Sequence, residues 1–576
     1  MNRSSQTSGG GPDAVGCATA DTAPAACGAL PSAHKHRAVI AWPDGLFAGV
    51  VIAICAVVVF IGLAPLVLFE HDVFFLLDNG YRVFQGQVPH RDFESAWGPI
   101  TYLISAAGLR LSGLKPEGLG YANALFGGLT AVWAYMVTRR RFSRAAAFIL
   151  GVNTLLLIAA PFSLGWGALN FSPAMVYNRY GFALLGIIMV ECAAPGREVA
   201  GGFSTGVACG LLAFLKVTYA VVAVPIILVI GGTRVFRRKR LAALCAGAAA
   251  VAFLALLYLR FDLSDMLGDL VMAGSGRSRS WRPGEILSLG LGQVAESVPL
   301  LLLAIAAGKA RLRWFATAVA ILALGGFLLS TNHQQRTLPL NGFLAVVMAE
   351  GFFRRREREE AGLAETGLVA CLTFVCVAPL CFQNGVSMAA AAREKLSPPP
   401  GEVVRLASER GASMVFRTSP AETETGGPAY VRVLNEGLDL LRRDTGARDG
   451  VLAIDMMNPF NYLLDRPSPT GGLSAGAYNY VISDAAHPSA DRWAGSTRFV
   501  LVRKYSPNVK DYPVEDYNIT GILRIYQPVL DQRFELLEET GHWRLYRKRP
   551  FPIPGPAAPP PGTPWTEPAS SSHTRG

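Results

Sequence analysis

Long apolar runs that alternate with short basic clusters are the feature that most constrains the fold of this chain. Of its 576 residues, 51% are hydrophobic and only 16% are charged. About 20 consecutive apolar residues are enough to cross the hydrocarbon core of a bilayer. Basic clusters at residues 139–141, 237–240, 309–313 and 354–356 mark cytoplasmic loops under the positive-inside rule. The sequence therefore predicts a polytopic α-helical membrane protein, whose net charge of +11 needs no nucleic-acid partner.

The same clusters predict a topology of about eleven transmembrane helices in the inner (cell) membrane, with a cytoplasmic amino terminus. Residues 1–40 are rich in Ser, Gly, Ala and Pro and are predicted to be a disordered cytoplasmic tail. Residues 41–385 form the predicted transmembrane domain. An odd number of spans places residues 386–550 outside the cytoplasm. Residues 551–576 are predicted to be a disordered, Pro-rich tail.

Residues 386–550 have the composition of a small soluble domain. A helical pattern covers residues 430–443, and strand-like runs cover residues 451–454 and 499–502. Residues 534–547 have the pattern of a closing hairpin. The sequence therefore predicts an extracytoplasmic α/β domain after the last membrane span.

The loop that follows the first apolar helix is unusually acidic. Residues 69–102 contain five acidic side chains, more than a simple link between two membrane helices needs. Asp72 and Asp78 lie six residues apart in a segment with the pattern of an amphipathic helix. Residues 100–111 are too few to cross a bilayer. We therefore expect amphipathic surface helices in this first outer loop.

A single lysine interrupts the apolar run of residues 201–232, whose two flanks are both cytoplasmic by charge. We therefore predict a helical hairpin with Lys216 at its apex, near the outer leaflet. An ammonium within apolar sequence costs about 3 kcal/mol and is normally paired or hydrated. Two interpretations stay open, since Lys216 either snorkels or forms an internal salt bridge, or binds a lipid phosphate.

Five short motifs together resemble the C-type, multi-membrane-spanning glycosyltransferases, and most closely the polyprenyl-phosphate-sugar-dependent branch with aminoarabinose, mannosyl and galacturonosyl transferases. They are Asp72, Gly86, residues 98–102, the hairpin residues 206–217 and the segment 336–339. The resemblance covers about residues 44–385. It implies a membrane glycosyltransferase, a hexosyl or pentosyl transferase that moves a sugar from a polyprenyl-phosphate donor to an envelope lipid, glycan or protein on the outer face of the inner membrane.

The sequence departs from the family pattern at two places. The family often has a second acidic residue directly after the first, whereas Val73 follows Asp72 here. A Gly98-Pro99 pair also stands where the family usually has two prolines. These departures leave room for an inactive envelope-assembly protein of the same fold, and a transporter or flippase of a lipid-linked or anionic substrate is a further alternative.

Sugar transfer needs a base that takes a proton from the acceptor hydroxyl. Asp72 is the first candidate for this catalytic role, with Asp78 or Asp92 as substitutes. The alternative interpretation is structural, in which Asp72 caps the surface helix while Asp78 and Asp92 pair with Arg82 and Arg91.

The departing phosphate needs cations that stabilise its developing charge. Lys216, Arg336, Arg179 and His333 are the candidates for binding substrate, together with Tyr102 of the surface helix. Each of the cations alone is better explained as an interfacial anchor or a salt-bridge partner than as a ligand, so the hypothesis depends on their shared location at the outer ends of helices. No nucleotide use is predicted, since the Gly-rich stretches lack the P-loop lysine pattern. A lipid-linked sugar donor fits that absence.

No metal site is predicted, because the histidines lack ligand spacing such as His-Glu-x-x-His. A divalent cation held by Asp72 and a partner carboxylate stays open as an alternative, and no other cofactor is predicted. The expected partners are a polyprenyl-phosphate sugar donor, an envelope lipid or glycan acceptor, and membrane lipids.

Overall fold

The computed structural model describes residues 41–194, 196–275, 283–307, 311–331, 336–356, 362–398, 404–417, 427–504 and 513–550. The two predicted tails, residues 1–40 and 551–576, lie outside the described residues. Residues Met1–Leu46 belong to one unit and Phe47–Gly576 to a second, compact unit. The second unit contains every side chain that bears on the candidate site.

Helices make up most of the described chain. The first six helices are α1 (Ala41–Ile61), α2 (Asp72–Phe84), α3 (Pro99–Ser112), α4 (Gly118–Arg139), α5 (Arg144–Ala159) and α6 (Val176–Ala193). The next six helices are α7 (Glu198–Leu215), α8 (Val217–Gly231), α9 (Arg238–Tyr258), α10 (Ser264–Ser275), α11 (Pro283–Gly292) and α12 (Val294–Ala306). The remaining helices are α13 (Arg311–Ser330), α14 (Leu340–Arg356), α15 (Leu363–Leu396), α16 (Gly427–Asp444), α17 (Phe460–Leu463), α18 (Ala490–Ala494) and α19 (Pro513–Arg533).

Several of these helices are suited to a membrane by length and composition. Among the described residues, six helices are long and apolar enough to cross a bilayer, or up to seven if the bent pair α11 and α12 forms one span. The six include α1, α7, α9, α13 and α15, together with α8 and the short 3-10 turn that follows it. Helix α5 has only 16 residues, and nearly every side chain of α6 is buried by other helices. The total of about eleven spans stays a prediction.

A sharp bend divides a segment that the sequence predicts as one span, residues 286–307. Helices α11 and α12 meet there at 91°. Gly290 lies so close to α13 that an added Cβ would be 2.2 Å from the carbonyl oxygen of Leu322. The hydroxyl of Ser297 donates to the carbonyl of Gly290 at 2.8 Å, so a carbonyl near the end of α11 keeps a hydrogen-bond partner. Close packing through glycine and this side-chain bond stabilise a break that the apolar pattern cannot predict.

The carboxyl-terminal part contains a four-stranded sheet. Its strands are β1 (Val451–Ile454), β2 (Phe499–Arg503), β3 (Phe534–Glu539) and β4 (Trp543–Lys548), in the order β1-β2-β4-β3. Strands β1 and β2 pair in parallel, and the other two pairs are antiparallel. The indole N–H of Trp543 donates to the carbonyl of Val433 at 2.8 Å, which fixes α16 against the sheet. These strands occupy the segments in which the sequence predicts strands and a hairpin.

Backbone hydrogen bonds join this carboxyl-terminal part to the first loop. The N–H of Glu94 donates to the carbonyl of Gly472 at 3.1 Å, and the N–H of Ser474 donates to the carbonyl of Glu94 at 2.8 Å. The N–H of Leu66 donates to the carbonyl of Val415 at 2.7 Å. The predicted domain boundary between residues 385 and 386 lies within the continuous helix α15. The first loop is therefore held by chain that follows it by more than 300 residues.

Arg82 is the side chain that ties α2 to the same region. Its guanidinium is buried, lies 4.2 Å from the centre of the Phe93 ring, and donates to the carbonyls of Pro469 at 3.0 Å and Gly471 at 2.7 Å. Its Nε also donates to the side-chain oxygen of Gln87 at 2.9 Å. One cation thus supplies donors to two carbonyls of a distant segment.

We predict that Arg82→Gln lowers the free energy of unfolding by about 1–3 kcal/mol, because the carbonyls that Arg82 serves lose their donors. Thermal unfolding of the purified protein in detergent measures the change. Arg547→Gln is the matched control, since Arg547 pairs with Glu535 at an exposed position and such pairs contribute about 1 kcal/mol or less. Equal, small shifts for the two variants would contradict the proposed role of Arg82.

Candidate active site

A break between α7 and α8 places Lys216 in the structure. Lys216 is extended, with φ −161° and ψ 114°, between the two helices. The break exposes the carbonyl of Leu215, which accepts the N–H of Gly98 at 3.1 Å and the hydroxyl of Thr101 at 3.2 Å. Gly98 has no room for a side chain, because a Cβ would lie 2.0 Å from the carbonyl oxygen of Phe214. The start of α3 therefore docks directly on the break that carries Lys216.

The ammonium of Lys216 lies in a polar and aromatic niche at the start of α6. Its Nζ donates to Oδ1 of Asn178 at 3.2 Å and lies 4.9 Å from the centre of the Tyr177 ring. Lys216 is 7% exposed and Asn178 is 1% exposed. The cation is consequently fixed in position and largely removed from solvent, where electrostatic interactions are stronger than in water.

Four rings connect this lysine to the first loop, and we call Phe75, Trp97, Tyr102 and Tyr177 the aromatic cluster. The centre of the Phe75 ring lies 4.7 Å from that of Trp97, 5.6 Å from that of Tyr102 and 5.9 Å from that of Tyr177. Tyr177 is also the ring beneath the ammonium of Lys216. The cluster therefore extends from α2 to the lysine.

Asp72 begins α2, three residues before Phe75 and on the same side of the helix. Its Oδ1 lies 3.4 Å from Nε2 of His71, and its side chain is 19% exposed. The first turn of a helix stabilises negative charge. Asp72 and Lys216 therefore border the aromatic cluster, the acid from α2 and the cation from the α7-α8 break.

The charge of Asp72 also acts on the carboxyl-terminal part of the chain. The pKa of Tyr430 lies well above its ordinary range, first because the ring is buried, and then because of the negative charges of Asp455, Glu70 and Asp72, against the opposing charge of Arg503. Residues from both ends of the chain therefore share the electrostatic environment of α2.

Arg336 is linked to the first loop by a second pair of ring contacts. Its guanidinium lies 4.7 Å from the centre of the Trp166 ring, and Trp166 contacts Phe69 edge to face at 5.4 Å. Gly165 has a positive φ of 85°, and a Cβ there would lie 2.4 Å from the backbone nitrogen of Arg336. Phe69 precedes Asp72 by three residues. Arg336 is thus held beside the segment that leads into the candidate base, and its side chain is exposed.

The two substitute acids occupy different environments. Asp78 is buried, and burial raises its pKa to about 7 against the opposing charge of Arg82. Asp92 accepts the N–H of Val88 at 2.7 Å and pairs with Arg91 at 2.6 Å. Burial would raise the pKa of Asp92, but the hydrogen bonds from Arg91 and Val88 hold it below the usual range. Asp92 therefore has the ion pair that the structural alternative predicts, and the catalytic assignments of both acids stay predictions.

Arg179, another candidate for binding substrate, has well-defined internal contacts. Arg179 is buried and donates to the carbonyl of Leu157 at 2.7 Å, to the carbonyl of Phe162, and to Oδ1 of Asn384 at 3.2 Å. These contacts join α5, α6 and α15, and they give Arg179 a structural function in this conformation.

Tyr102 is also buried. Its hydroxyl lies 2.7 Å from Oγ of Ser95, within the aromatic cluster and not on an open surface. The roles of Tyr102 and Arg179 toward substrate stay predictions. His333 lies outside the described residues.

A second group of charged residues, which we call the junction cluster, was not found by sequence reasoning. It consists of His90, Glu94, Asp265, Asp269 and Arg492. The imidazole Nδ1 of His90 lies 2.8 Å from Oδ2 of Asp269, while Arg492 pairs with Glu94 and donates to Asp265 at 2.8 Å. Because these partners come from the first loop, α10 and α18, their spacing along the sequence carries no signal for the contact.

Burial dominates the electrostatics of the junction cluster. It raises the pKa of Glu94 to about 8. The hydrogen bond to Asp269 and the negative charge of Asp269 raise this pKa further, while Arg492 opposes the shift. Burial also raises the pKa of Asp269 to about 6, against the hydrogen bonds from Glu94 and the N–H of Ser95. The pKa of His90 falls to about 4, mainly through burial. These directions predict a neutral imidazole at pH 7 and one proton shared between the carboxyl groups of Glu94 and Asp269.

No group of three or more His, Cys, Asp or Glu side chains within the described residues could hold a metal ion. The alternative of a divalent cation at Asp72 therefore has only the carboxylate itself as support.

No protein-family model matches this chain, and neither does any curated protein. Among solved structures, it is similar to ArnT from Cupriavidus metallidurans in the apo state, with a TM-score of 0.41 and 13% identity over 87% of this chain and 98% of that one. ArnT bound to undecaprenyl phosphate gives a TM-score of 0.36 at 13% identity over 87% and 97% of the two chains. The archaeal oligosaccharyltransferase AglB from Archaeoglobus fulgidus, in complex with an inhibitory peptide and a dolichol-phosphate, gives 0.28 at 12% identity over 89% and 75%. At these identities and TM-scores, a function for this chain has to be argued from its own side chains.

We predict that Gly98→Ala lowers the free energy of unfolding by about 1–3 kcal/mol, because the added methyl group collides with the backbone at the α7-α8 break. Thermal unfolding in detergent measures this loss. Gly385→Ala is the control, since nothing lies within 4 Å of a Cβ added at that helical position. A Gly98→Ala variant as stable as Gly385→Ala would show that α3 does not depend on close contact with the break.

The junction cluster predicts a pH dependence. A carboxyl group whose pKa is raised in the folded state keeps its proton where the unfolded chain has lost it, so folding stability falls as pH rises from about 4.3, the unfolded value, toward 8. Hydrogen exchange of residues 93–97, corrected for the intrinsic rate, should therefore accelerate between pH 5 and pH 8.

Glu94→Gln should remove most of this dependence, because the amide can donate to Asp269 at every pH. Asp439→Asn, at a largely exposed side chain, should leave the dependence intact. Exchange in the wild-type protein that is constant over this pH range, after correction, would refute the shared proton.

Proposed function

We propose that this chain is a membrane glycosyltransferase that moves a sugar from a polyprenyl-phosphate donor to an acceptor hydroxyl on the outer face of the inner membrane. The acceptor would be an envelope lipid, glycan or protein. One observation carries the proposal, namely that ring contacts lead from both cations to residues three positions on either side of Asp72. Lys216 reaches Phe75 through Tyr177, and Arg336 reaches Phe69 through Trp166. The likeness of these three positions to motifs of C-type glycosyltransferases gives the same assignment.

In the proposed reaction, Asp72 accepts the proton of the acceptor hydroxyl as the acceptor oxygen attacks the anomeric carbon of the sugar. The bond between that carbon and the phosphate oxygen breaks, and polyprenyl phosphate leaves with the bonding electrons. The partial exposure of Asp72 supports this role, because a base has to reach a hydroxyl that arrives from outside. Asp78 is buried and Asp92 is ion-paired, so both are better suited to supporting α2 and the loop.

The two cations have different proposed tasks. Lys216 is a point charge held by Asn178 and the Tyr177 ring, and it would stabilise the negative charge that develops on the departing phosphate. Arg336 stacks on Trp166 through its face, which leaves the N–H groups at its edge for bidentate contact with phosphate oxygens. Arg179 and Tyr102 would stabilise the elements around the site, through buried hydrogen bonds to the carbonyl of Leu157 and to the hydroxyl of Ser95.

The membrane topology belongs to the same proposal. Lipid-linked donors lie at the membrane surface, where the first loop would meet them. Helix α2 is not exposed on one face as the sequence predicts, because its residues 73–82 are all buried by the rest of the chain. The carboxyl-terminal part, which hydrogen-bonds to this loop, would then also lie outside the cytoplasm. The amino terminus would be cytoplasmic, as the basic clusters predict.

We predict that Asp72→Asn reduces glycosyl transfer by about 100-fold or more, as expected for loss of a general base. Lys216→Ala should reduce it by about 100-fold through loss of charge stabilisation. Mass spectrometry of envelope glycolipids and glycans from a deletion strain measures this, because the wild-type gene should restore a sugar mass that the strain lacks.

The matched control is Asp531→Asn, at an exposed position on α19 that bonds Gln527, which should restore the sugar mass fully. All variants need to reach the membrane in equal amounts. If Asp72→Asn and Lys216→Ala both restore normal modification, the chain is not the enzyme proposed.

A further inference from the structure

A cavity of about 560 Å³ lies among α5, α12, α14 and α15. Its size falls within the range of about 300–1,000 Å³ that is typical of small-molecule sites. Apolar walls come from the segment before α14 and from α15, including Leu338, Pro339, Val377 and Leu380. None of the residues of the aromatic cluster or the junction cluster lines it. The lining residues Thr337 and Leu338 follow Arg336 directly, so the cavity adjoins the segment that carries this cation, although Arg336 itself does not line it.

The polar floor of this cavity is organised by Glu296 of α12. Its Oε1 accepts the hydroxyl of Thr337 at 2.5 Å, and its Oε2 accepts the N–H of Leu338 at 2.6 Å. The carboxylate thus fixes the segment between Arg336 and α14 as one wall of the cavity. Both of its oxygens have donors from protein, so Glu296 has a structural function at this wall.

Asn341 presents an acceptor that the described part of the chain does not satisfy. Its side chain is 3% exposed and lines the cavity. Its Nδ2 donates to the backbone carbonyl of Glu296 at 3.4 Å, which determines the orientation of the amide. Its Oδ1 has no hydrogen-bond partner among the described residues. A buried acceptor without a partner costs about 1–3 kcal/mol, so a ligand that donates a hydrogen bond there is favoured.

A proline creates a second acceptor on the same wall. Pro379 lies inside α15 and has no N–H, so the carbonyl of Val375 lacks its usual donor one turn later. Both residues line the cavity. The described residues of the lining include no Lys, Arg or His, which disfavours an anionic ligand. The cavity therefore combines apolar walls with acceptors that need a neutral donor.

We infer that this cavity binds a neutral long-chain lipid that carries a free hydroxyl group, with the hydroxyl donating to Oδ1 of Asn341. The hydrocarbon chain would contact the apolar walls from Leu338 and α15. Because these lining residues include no Lys, Arg or His, they offer a phosphate or carboxylate headgroup no cation to pair with. This chemistry distinguishes the ligand from a polyprenyl phosphate, and the inference stands whether or not the chain transfers sugar.

Photolabelling of the purified full-length protein in phosphatidylcholine nanodiscs tests the inference. The probes are diazirine-bearing hexadecanol, its methyl ether, which lacks the hydroxyl donor, and hexadecanoate, which is anionic. We expect hexadecanol to label peptides of α14 and α15 about tenfold more than either of the other probes, which corresponds to about 1.4 kcal/mol.

Asn341→Leu should lower hexadecanol labelling to the level of the ether. Pro379→Ala, which restores an N–H for the Val375 carbonyl, should lower it without creating a folding defect, and it decides the question if Asn341→Leu does not fold. Leu302→Ala, on an exposed part of α12, is the control and should change nothing. Equal labelling by alcohol and ether in the wild type, or stronger labelling by hexadecanoate, would overturn the inference.

Discussion

The hydrogen bonds that Gly98 and Thr101 donate to the carbonyl of Leu215 are the interaction on which the candidate site depends. A break between two apolar helices leaves backbone groups without helical partners, and such groups are costly away from water. The first loop supplies two donors to the carbonyl of Leu215. Docking of α3 therefore stabilises the break that carries Lys216, and the acidic loop and the α7-α8 break support each other.

The carboxyl-terminal part of the chain completes this unit from the other side. Backbone hydrogen bonds on both sides of Glu94, and the donors of Arg82 to Pro469 and Gly471, fix the loop between α2 and α3. Each contact joins residues more than 370 positions apart. Fixing a long loop in one conformation costs conformational entropy, and these contacts offset that cost. They explain why a largely irregular segment can position α3.

The sequence predicts those elements of the fold that depend on interactions between residues close together in the chain. The amphipathic pattern predicts α2, the Gly98-Pro99 pair predicts the start of α3, and an isolated lysine in an apolar run predicts the break at Lys216. The junction between Glu94, Asp269 and Arg492 depends on contacts between remote segments, for which neither periodicity nor spacing gives a signal. The same applies to the bend between α11 and α12, near which Gly290 packs closely against α13, and to the internal contacts of Arg179.

The two proposed phosphate ligands have different surroundings, which suit them to different steps of the proposed reaction. When a glycosyl phosphate diester loses its sugar, the phosphate gains negative charge, so only interactions that strengthen during departure accelerate the reaction. Lys216 is already desolvated and held by Asn178, so it needs little reorganisation to stabilise that extra charge. Arg336 is exposed and stacked on Trp166, where a phosphate that arrives from the membrane surface meets it first. The buried cation is therefore suited to the transition state and the exposed one to capture of the donor.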